Sequence, residues 1–206
     1  VKAFAASGVI ELDLDDTLFH RCGRKVEGSG WWRDAVRSTA KRTVLAWGLN
    51  LVVLTLRVTA PWGGEPLGLP IRMRLHRKGG DSLIDLAEAM LRQLADGLPE
   101  RAFRLHADGF YATLAGRSLV HVHLISRMRR DAKLYEPPAS RGGPRKRGRP
   151  RLKGRCLPSP QPMARQGRSW KPVTPLERGH VRERLVYART VLWYHVSKIS
   201  VLLVIS

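Results

Sequence analysis

Residues 9–18 of the chain read VIELDLDDTL, and this stretch decides the fold around it. Apolar side chains occupy positions 10, 12 and 14, and acidic side chains occupy positions 11, 13 and 15. This period of two predicts a strand with one apolar face and one acidic face. Asp16 then falls in phase with the apolar face, where an ionised carboxylate is costly unless it is paired, hydrogen-bonded or bound to a cation. The pattern suits a metal site, and a turn in which Asp-Asp-Thr hydrogen-bonds its own backbone is the alternative.

The charge balance indicates the class of partner. The 206 residues include 37 Lys and Arg against 17 Asp and Glu, a net charge of +20. Such a surplus predicts a polyanionic partner, with nucleic acid first and an anionic membrane surface second. No basic amphipathic helix is evident and no apolar run is long enough to span a bilayer, so we expect no membrane association. Two distant cysteines and no visible signal peptide favour a reduced, cytoplasmic setting.

The chain up to residue 128 predicts a mixed sheet with one long helix. We expect a buried central strand over 43–58 with a bend at 48–50, and a strand over 69–76 that alternates apolar with basic residues. Ser82 and Asp85 predict a capping box that starts a helix over 81–94. Residues 102–108 and 120–128 follow as strands, the first ending on Asp108. A helix between strands implies a crossover, so part of the sheet should be parallel.

Two smaller features leave alternatives open. Trp31 and Trp32 point opposite ways on a strand, so one is expected in the core and the other could be a stacking surface, with core the favoured interpretation. His121 and His123 share one strand face, where they are either metal ligands or, as is more common, solvated surface groups.

Composition changes sharply at residues 141–155, which read RGGPRKRGRPRLKGR. Eight of these fifteen residues are basic and none is acidic, so the tract cannot bury a core and is expected to be unstructured when free. Its centre, 147–150, resembles an AT-hook, in which Arg-Gly-Arg lies in the minor groove of A·T-rich DNA. A solvated basic linker is the alternative, and we favour DNA contact. The predicted DNA-binding residues are Arg141, Arg145, Lys146, Arg147, Arg149, Arg151, Lys153 and Arg155.

The remainder predicts a linker over 158–175 and two strands over 181–195 and 199–205 that form a hairpin. We therefore expect a catalytic core over 1–136, a basic Pro/Gly-rich insertion over 137–175, and further strands over 176–206. The chain begins on Val1 and stops inside an apolar, β-branched run, which predicts a fragment.

Two enzyme chemistries fit the first strand. In the first, residues 13–18 resemble the opening motif of haloacid-dehalogenase-type phosphatases, with Asp13 as nucleophile, Asp15 as acid/base, and Thr55 and Lys78 as further candidates. That family's late acidic pair is absent. In the second, Asp16 and Asp108 end neighbouring strands and together hold divalent metal for phosphodiester chemistry.

An ordered set of motifs resembles the DDE-superfamily transposases of bacterial insertion sequences, which have an RNase H-like catalytic core. The motifs are DDT at 15–17, GRKVEGSGWW at 23–32, HADGFY at 106–111, SRMRRDAKLY at 126–135, and the Arg-Gly-Arg-Pro-Arg tract leading into CLPS at 156–159. The resemblance implies an α/β, RNase H-like mixed sheet with crossover helices, a basic disordered insertion and an incomplete C-terminus. It implies Asp16 as the first catalytic acid, with Asp15 as the fallback, and Asp108 as the second.

The resemblance also implies Mg²⁺ or Mn²⁺ at a two-metal site, with DNA (transposon ends and target DNA) as substrate. A homodimer in a synaptic complex, in the bacterial cytoplasm at the nucleoid, goes with it. The chain departs from the family at the third carboxylate, because no later acid stands in the expected Trp-x-Ile-Glu context. We expect that acid to lie beyond the chain and turnover to be poor or absent. The non-enzymatic alternative is a DNA-binding module that acts through 141–155.

Overall fold

The structure is a computed structural model that describes residues 8–21, 23, 25–60, 62–138, 151–166, 169–177 and 180–206. The chain divides into two compact units, Val1–Ser126 and Arg127–Ser206. The domain boundaries at 136 and 175, which the composition predicts, stay a prediction. Residues 139–150, which hold most of the basic tract, lie outside the described residues.

A six-stranded mixed sheet forms the first unit. Its strands are β1 (Ile10–His20), β2 (Gly30–Arg33), β3 (Leu45–Val58), β4 (Leu67–His76), β5 (Phe103–Ala107) and β6 (Val122–Ser126). β3 runs antiparallel to β1 on one side and to β2 and β4 on the other. β5 is parallel to β1, and β6 is parallel to β5. This arrangement confirms the predicted RNase H-like α/β fold.

The crossover helix α1 (Leu83–Gly97) connects β4 to β5, as the sequence predicts. Ser82 caps it, because its hydroxyl oxygen accepts a hydrogen bond from the backbone N–H of Asp85 at 3.2 Å and donates to the Asp85 carboxylate at 2.6 Å. One stripe of the helix is buried, formed by Ala87, Met90, Leu91 and Leu94. A 3₁₀ helix (Gly109–Gly116) follows β5.

The predicted alternation of β1 is confirmed. Ile10, Leu12 and Leu14 are at most 3% exposed and pack in the core with α1, whereas Asp15 is exposed. Full burial of each such side chain stabilises the fold by roughly 1.5–3 kcal/mol. The apolar alternation therefore fixes which side of β1 faces the core, and with it where each neighbouring carboxylate lies.

No bend interrupts β3 at Gly48, because the strand is continuous from Leu45 to Val58. The glycine instead permits a close approach of two strands. A Cβ at position 48 would collide with the carbonyl oxygen of Phe19 on β1, to which β3 pairs there. The close contact of β1 and β3 therefore requires a residue without a side chain at position 48. Phe19, which it approaches, lies three residues after Asp16 on β1.

In the part of the second unit that the structure describes, the chain forms two sheets and a short helix. The elements are β7 (Leu134–Tyr135), β8 (Cys156–Leu157), α2 (Pro160–Gln166), β9 (Lys171–Val173), β10 (Leu176–Glu177), β11 (His180–Val181), β12 (Arg184–Leu192) and β13 (Ser200–Ile205). The predicted hairpin is confirmed as the antiparallel pair β12–β13.

The prediction of a linker over 158–175 is wrong, since α2 and β9 lie within it. Pro160 is the first residue of α2. Proline is tolerated there because the backbone N–H of the first helical residue has no hydrogen-bond partner within the helix. Met163 then packs in the second core with Leu134 and Leu157. The high content of Pro, Ser and Gln predicts a linker, but one buried methionine is enough to anchor this segment as a helix.

In the part of the chain that the structure describes, no helix has the length and apolar character needed to cross a membrane.

Replacing Gly48 with Ala should lower the free energy of unfolding by about 1–3 kcal/mol, because the new methyl group forces β1 and β3 apart. Gly97→Ala is the matched control, since a Cβ at the end of α1 meets nothing within 4 Å. That control should be neutral or more stable by up to about 1 kcal/mol. Urea denaturation measures both, and equal stability of the two variants would contradict the close approach.

Candidate active site

The first acid of the site lies within β1, because the strand stays paired with β3 as far as His20 and does not end at Asp16 as the sequence predicts. Asp16 follows the apolar phase of the strand and is partly buried, whereas Asp15 points to the opposite face and is exposed. The two carboxylates are also linked through the backbone, because the Asp16 N–H donates a hydrogen bond to Asp15 Oδ1 at 2.9 Å. The adjacent pair therefore presents one carboxylate on each face of the strand.

Asp108 is brought to the same place by the parallel β1–β5 pair. The last pair of residues in the β1–β5 register is Leu14 and Ala107. Asp15 and Asp108 are the residues that directly follow this pair along the sequence. Asp108 Oδ1 accepts hydrogen bonds from the N–H groups of Phe110 and Tyr111, at 2.9 and 3.4 Å. Its carbonyl oxygen accepts a third from Ser126 Oγ at 2.8 Å. Asp108 is thus held at the start of the 3₁₀ helix.

Tyr111 joins the two acids and is a site residue that sequence reasoning missed. Its side chain is fully buried, and its hydroxyl donates a hydrogen bond to Asp16 Oδ1 at 3.2 Å. Burial, followed by the nearby Asp16 carboxylate, raises the pKa of the tyrosine well above its usual range, so the phenol stays a donor. The signal in the sequence was the Asp-Gly-Phe-Tyr spacing, which puts Tyr111 one turn after Asp108.

The electrostatics of the site favour a cation. The pKa of Asp16 is raised overall, and burial is the largest cause. The Tyr111 hydrogen bond opposes this shift, whereas repulsion from Asp15 and Asp108 adds to it. Within the described residues, none of the ion pairs involves any of these three acids. A cluster of carboxylates without a basic partner suits a hard divalent ion. No three His, Cys, Asp or Glu side chains among the described residues are placed to hold one metal together, so the ligand set here is at most a pair.

Of the residues of the phosphatase hypothesis, Asp13 and Thr55 lie opposite each other on β1 and β3, but Lys78 does not join them. Asp13 accepts a hydrogen bond from Arg57, whose Nε lies 3.1 Å from Asp13 Oδ2. Thr55 is the residue of β3 that pairs with Asp13. Lys78 instead lies 5.6 Å from the ring of Trp32, which pairs with residue 46 at the other end of β3. Nine residues of strand separate positions 46 and 55, a distance of roughly 30 Å.

His121 and His123 do not extend the site. Both are exposed, and His121 has a positive φ of 57° where the chain enters β6. Neither belongs to a described group of three potential metal ligands.

Comparison with known protein families decides the identity of the fold and its chemistry. The model of the DDE superfamily endonuclease family matches residues 1–198. The chain belongs to the DDE superfamily of endonucleases. The family acts on DNA and its members generally use divalent metal ions, which agrees with the carboxylate pair and the net charge of +20. Curated proteins and solved structures gave no match to the chain.

The raised pKa of Asp16 makes a prediction about stability and pH. Its folded-state pKa lies above the unfolded value, so the ionised carboxylate destabilises the fold, and this destabilisation grows as pH rises through the folded pKa. Asp16→Asn should therefore raise Tm at pH 7 and lose that advantage below about pH 4, where both states are protonated. Thermal melts across pH measure the effect. The control is Asp13→Asn, which removes the partner of Arg57 and should not be stabilising; an Asp16→Asn gain that persisted at low pH would contradict this account.

Proposed function

We propose that the first unit is the catalytic core of a transposase, in which Asp16 and Asp108 hold the divalent metal and Asp15 lies beside them. One observation carries the proposal. The parallel pairing of β1 and β5 brings two acids that are 92 residues apart (108 − 16) close together, and the charge of Asp108 contributes to the raised pKa of Asp16. That repulsion is relieved when a cation binds between them.

Mg²⁺ or Mn²⁺ fits these ligands, because both ions prefer carboxylate oxygen. When bound, such ions activate a water molecule or a 3′-hydroxyl and stabilise the leaving oxygen of a phosphodiester. The chain's own residues orient the ligands. Tyr111 holds one oxygen of Asp16, and the two backbone N–H groups that bind Asp108 fix its side chain. The same assignment implies action at transposon ends and target DNA by a homodimer at the bacterial nucleoid.

We further propose that turnover by this chain is weak, since two of the later acids, Asp131 and Glu136, are already paired with arginine. Arg129 binds Asp131 through two hydrogen bonds, of 2.9 and 2.7 Å, and this arginine lowers the pKa of the acid. Glu136 Oε1 lies 3.2 Å from Arg155 and 3.3 Å from Arg189. Each of these carboxylates is compensated by arginine and has little to gain from a metal ion.

Metal binding tests the proposal directly. Titration calorimetry should show that the wild-type chain binds Mn²⁺. Asp16→Asn and Asp108→Asn should each lower the affinity at least about tenfold, because removing a residue that only hydrogen-bonds to a metal ligand already has an effect of this size. Asp13→Asn is the matched control, since its carboxylate lies on the same strand and is occupied by Arg57. Asp15→Asn tells whether the second acid of β1 shares the ion.

Three outcomes are informative. Loss in both Asp16→Asn and Asp108→Asn supports a shared site. Loss in Asp15→Asn and Asp108→Asn, with Asp16→Asn unaffected, transfers the role of first ligand to Asp15. Binding that is abolished only by Asp13→Asn would contradict the transposase assignment and favour the phosphatase alternative.

The basic tract is proposed as a second DNA contact. Arg141, Arg145, Lys146, Arg147 and Arg149 lie outside the described residues. The described remainder is already engaged in part. Lys153 Nζ lies 4.4 Å from the centroid of the Tyr135 ring, and Arg155 pairs with Glu136, while Arg151 is exposed.

Salt dependence tests this contact. If the five undescribed basic residues meet phosphates, the logarithm of the binding constant for duplex DNA should fall with the logarithm of salt concentration with a slope of about −4 to −5. Replacing all five with Gln should reduce the slope to that of the remaining surface. Binding that keeps its full slope in this variant would refute the contact. Retention of wild-type slope in Asp16→Asn and Asp108→Asn serves as the control.

A further inference from the structure

An aromatic surface, formed by Phe19, Trp31 and Trp47, lies on the face of the first sheet that is turned away from α1. The strand register places the three rings together. Trp31 on β2 is paired directly with Trp47 on β3, and Phe19 on β1 is paired with the residue two positions further along β3. Residues opposite one another share a face, and diagonal neighbours lie about 7–8 Å apart.

Two of these rings, Trp31 and Phe19, are presented to solvent rather than buried. Trp31 is 55% exposed and Phe19 is 47% exposed, although large aromatic side chains of a sheet usually contribute to the core. Trp47 supports Trp31 from one side, with ring centroids 5.7 Å apart and an interplanar angle of 76°. This edge-to-face contact holds Trp31 against its neighbour on β3, while more than half of its surface is exposed.

Arginine accompanies each exposed ring at a spacing of two residues. The guanidinium carbon of Arg21 lies 4.7 Å from the centroid of the Phe19 ring. Arg33, which is exposed, follows Trp31 on the same face of β2. The segment 20–43 as a whole contains seven Lys or Arg and two Asp or Glu. The surroundings of the aromatic surface are therefore complementary to a polyanion.

The aromatic surface also shares a strand face with Asp15, the acid of β1 that points away from the core. Asp15 and Phe19 are four residues apart on β1 and point the same way, which corresponds to a distance of about 13 Å along the strand. A nucleic-acid strand bound at the carboxylates can reach the rings over this distance.

We infer that the aromatic surface stacks unpaired bases of single-stranded DNA beside the phosphodiester at the carboxylates. The location relative to the reaction rests on the function proposed above. Exposed rings on a sheet, interleaved with arginine, bind single strands because every base has a π-face, and planar guanidinium groups stack on bases as well. A duplex keeps its bases stacked inside and cannot use the rings in this way.

Fluorescence anisotropy with labelled oligo(dT) of twelve nucleotides, on the full chain at constant salt, tests the inference. Trp31→Leu should weaken binding about tenfold or more, since it keeps an apolar side chain and removes the π-system. Trp31→Phe should recover most of the affinity. Trp62→Ala is the matched control, because Trp62 is 78% exposed in the loop after β3 and lies outside the aromatic surface; it should bind like wild type. Binding to a duplex of the same length should change little in all variants.

Two results would overturn the inference. Equal affinity of wild type and Trp31→Leu for oligo(dT) would show that no base stacks on Trp31. A concentration-dependent dimer of the wild type that is lost in Trp31→Leu, with oligo(dT) affinity unaltered, would make the surface an interface between copies of the chain.

Failure of this inference and failure of the proposed function are separable. Mn²⁺ binding should be intact in Trp31→Leu, whose side chain is remote from the carboxylates. Oligo(dT) binding should be intact in Asp16→Asn, which keeps the aromatic surface. Loss of oligo(dT) affinity in Trp31→Leu, together with no Mn²⁺ binding by any form, would support the stacking surface and refute the metal site.

Discussion

Parallel pairing of β1 with β5 is the contact on which the rest of the first unit depends. It requires a crossover, which α1 supplies, and it forces the chain to return in the same direction beside the strand that carries Asp15 and Asp16. Their pairing ends at Leu14 and Ala107, so the residues that come next along each segment lie close together, although β1 itself continues to His20. The residues that follow are acids, and a site forms there without any long loop.

The ionised carboxylate of Asp16 opposes the stability of the fold that positions it. It is partly buried, is repelled by the charges of Asp15 and Asp108, and receives a hydrogen bond from a neutral phenol. Elsewhere on the same strand an acid is balanced by arginine, as Asp13 is by Arg57. The contrast between two acids three residues apart separates a structural ion pair from a site that is prepared for an external cation, a pattern that recurs at functional sites.

The two faces of the first sheet have different roles. One face packs against α1 and holds the core, with Leu12, Leu54 and Met90 fully buried. The other face carries Asp15 near the middle of β1 and the aromatic surface toward the end of that strand. A strongly basic chain that acts on DNA has use for both charge and rings on the open face, since phosphates are held by charge and unpaired bases by stacking. The alternation of β1 therefore serves packing on one side and recognition on the other.

The sequence by itself determined what depends on near neighbours in the chain. The alternation of residues 10–15, the cap at Ser82, the apolar stripe of α1 and the hairpin β12–β13 all follow from spacings of two to four residues, and the structure has each of them. It also singled out Asp16 and Asp108 as candidates, because each is an acid at the end of a predicted strand. Only the tertiary structure decided which distant groups meet. Tyr111 reaches Asp16 and Arg57 reaches Asp13 through strand register, which no local period encodes. For the same reason the sequence predicted a linker where α2 lies, because Met163 is buried by residues that are distant in the chain, such as Val191 and Leu203.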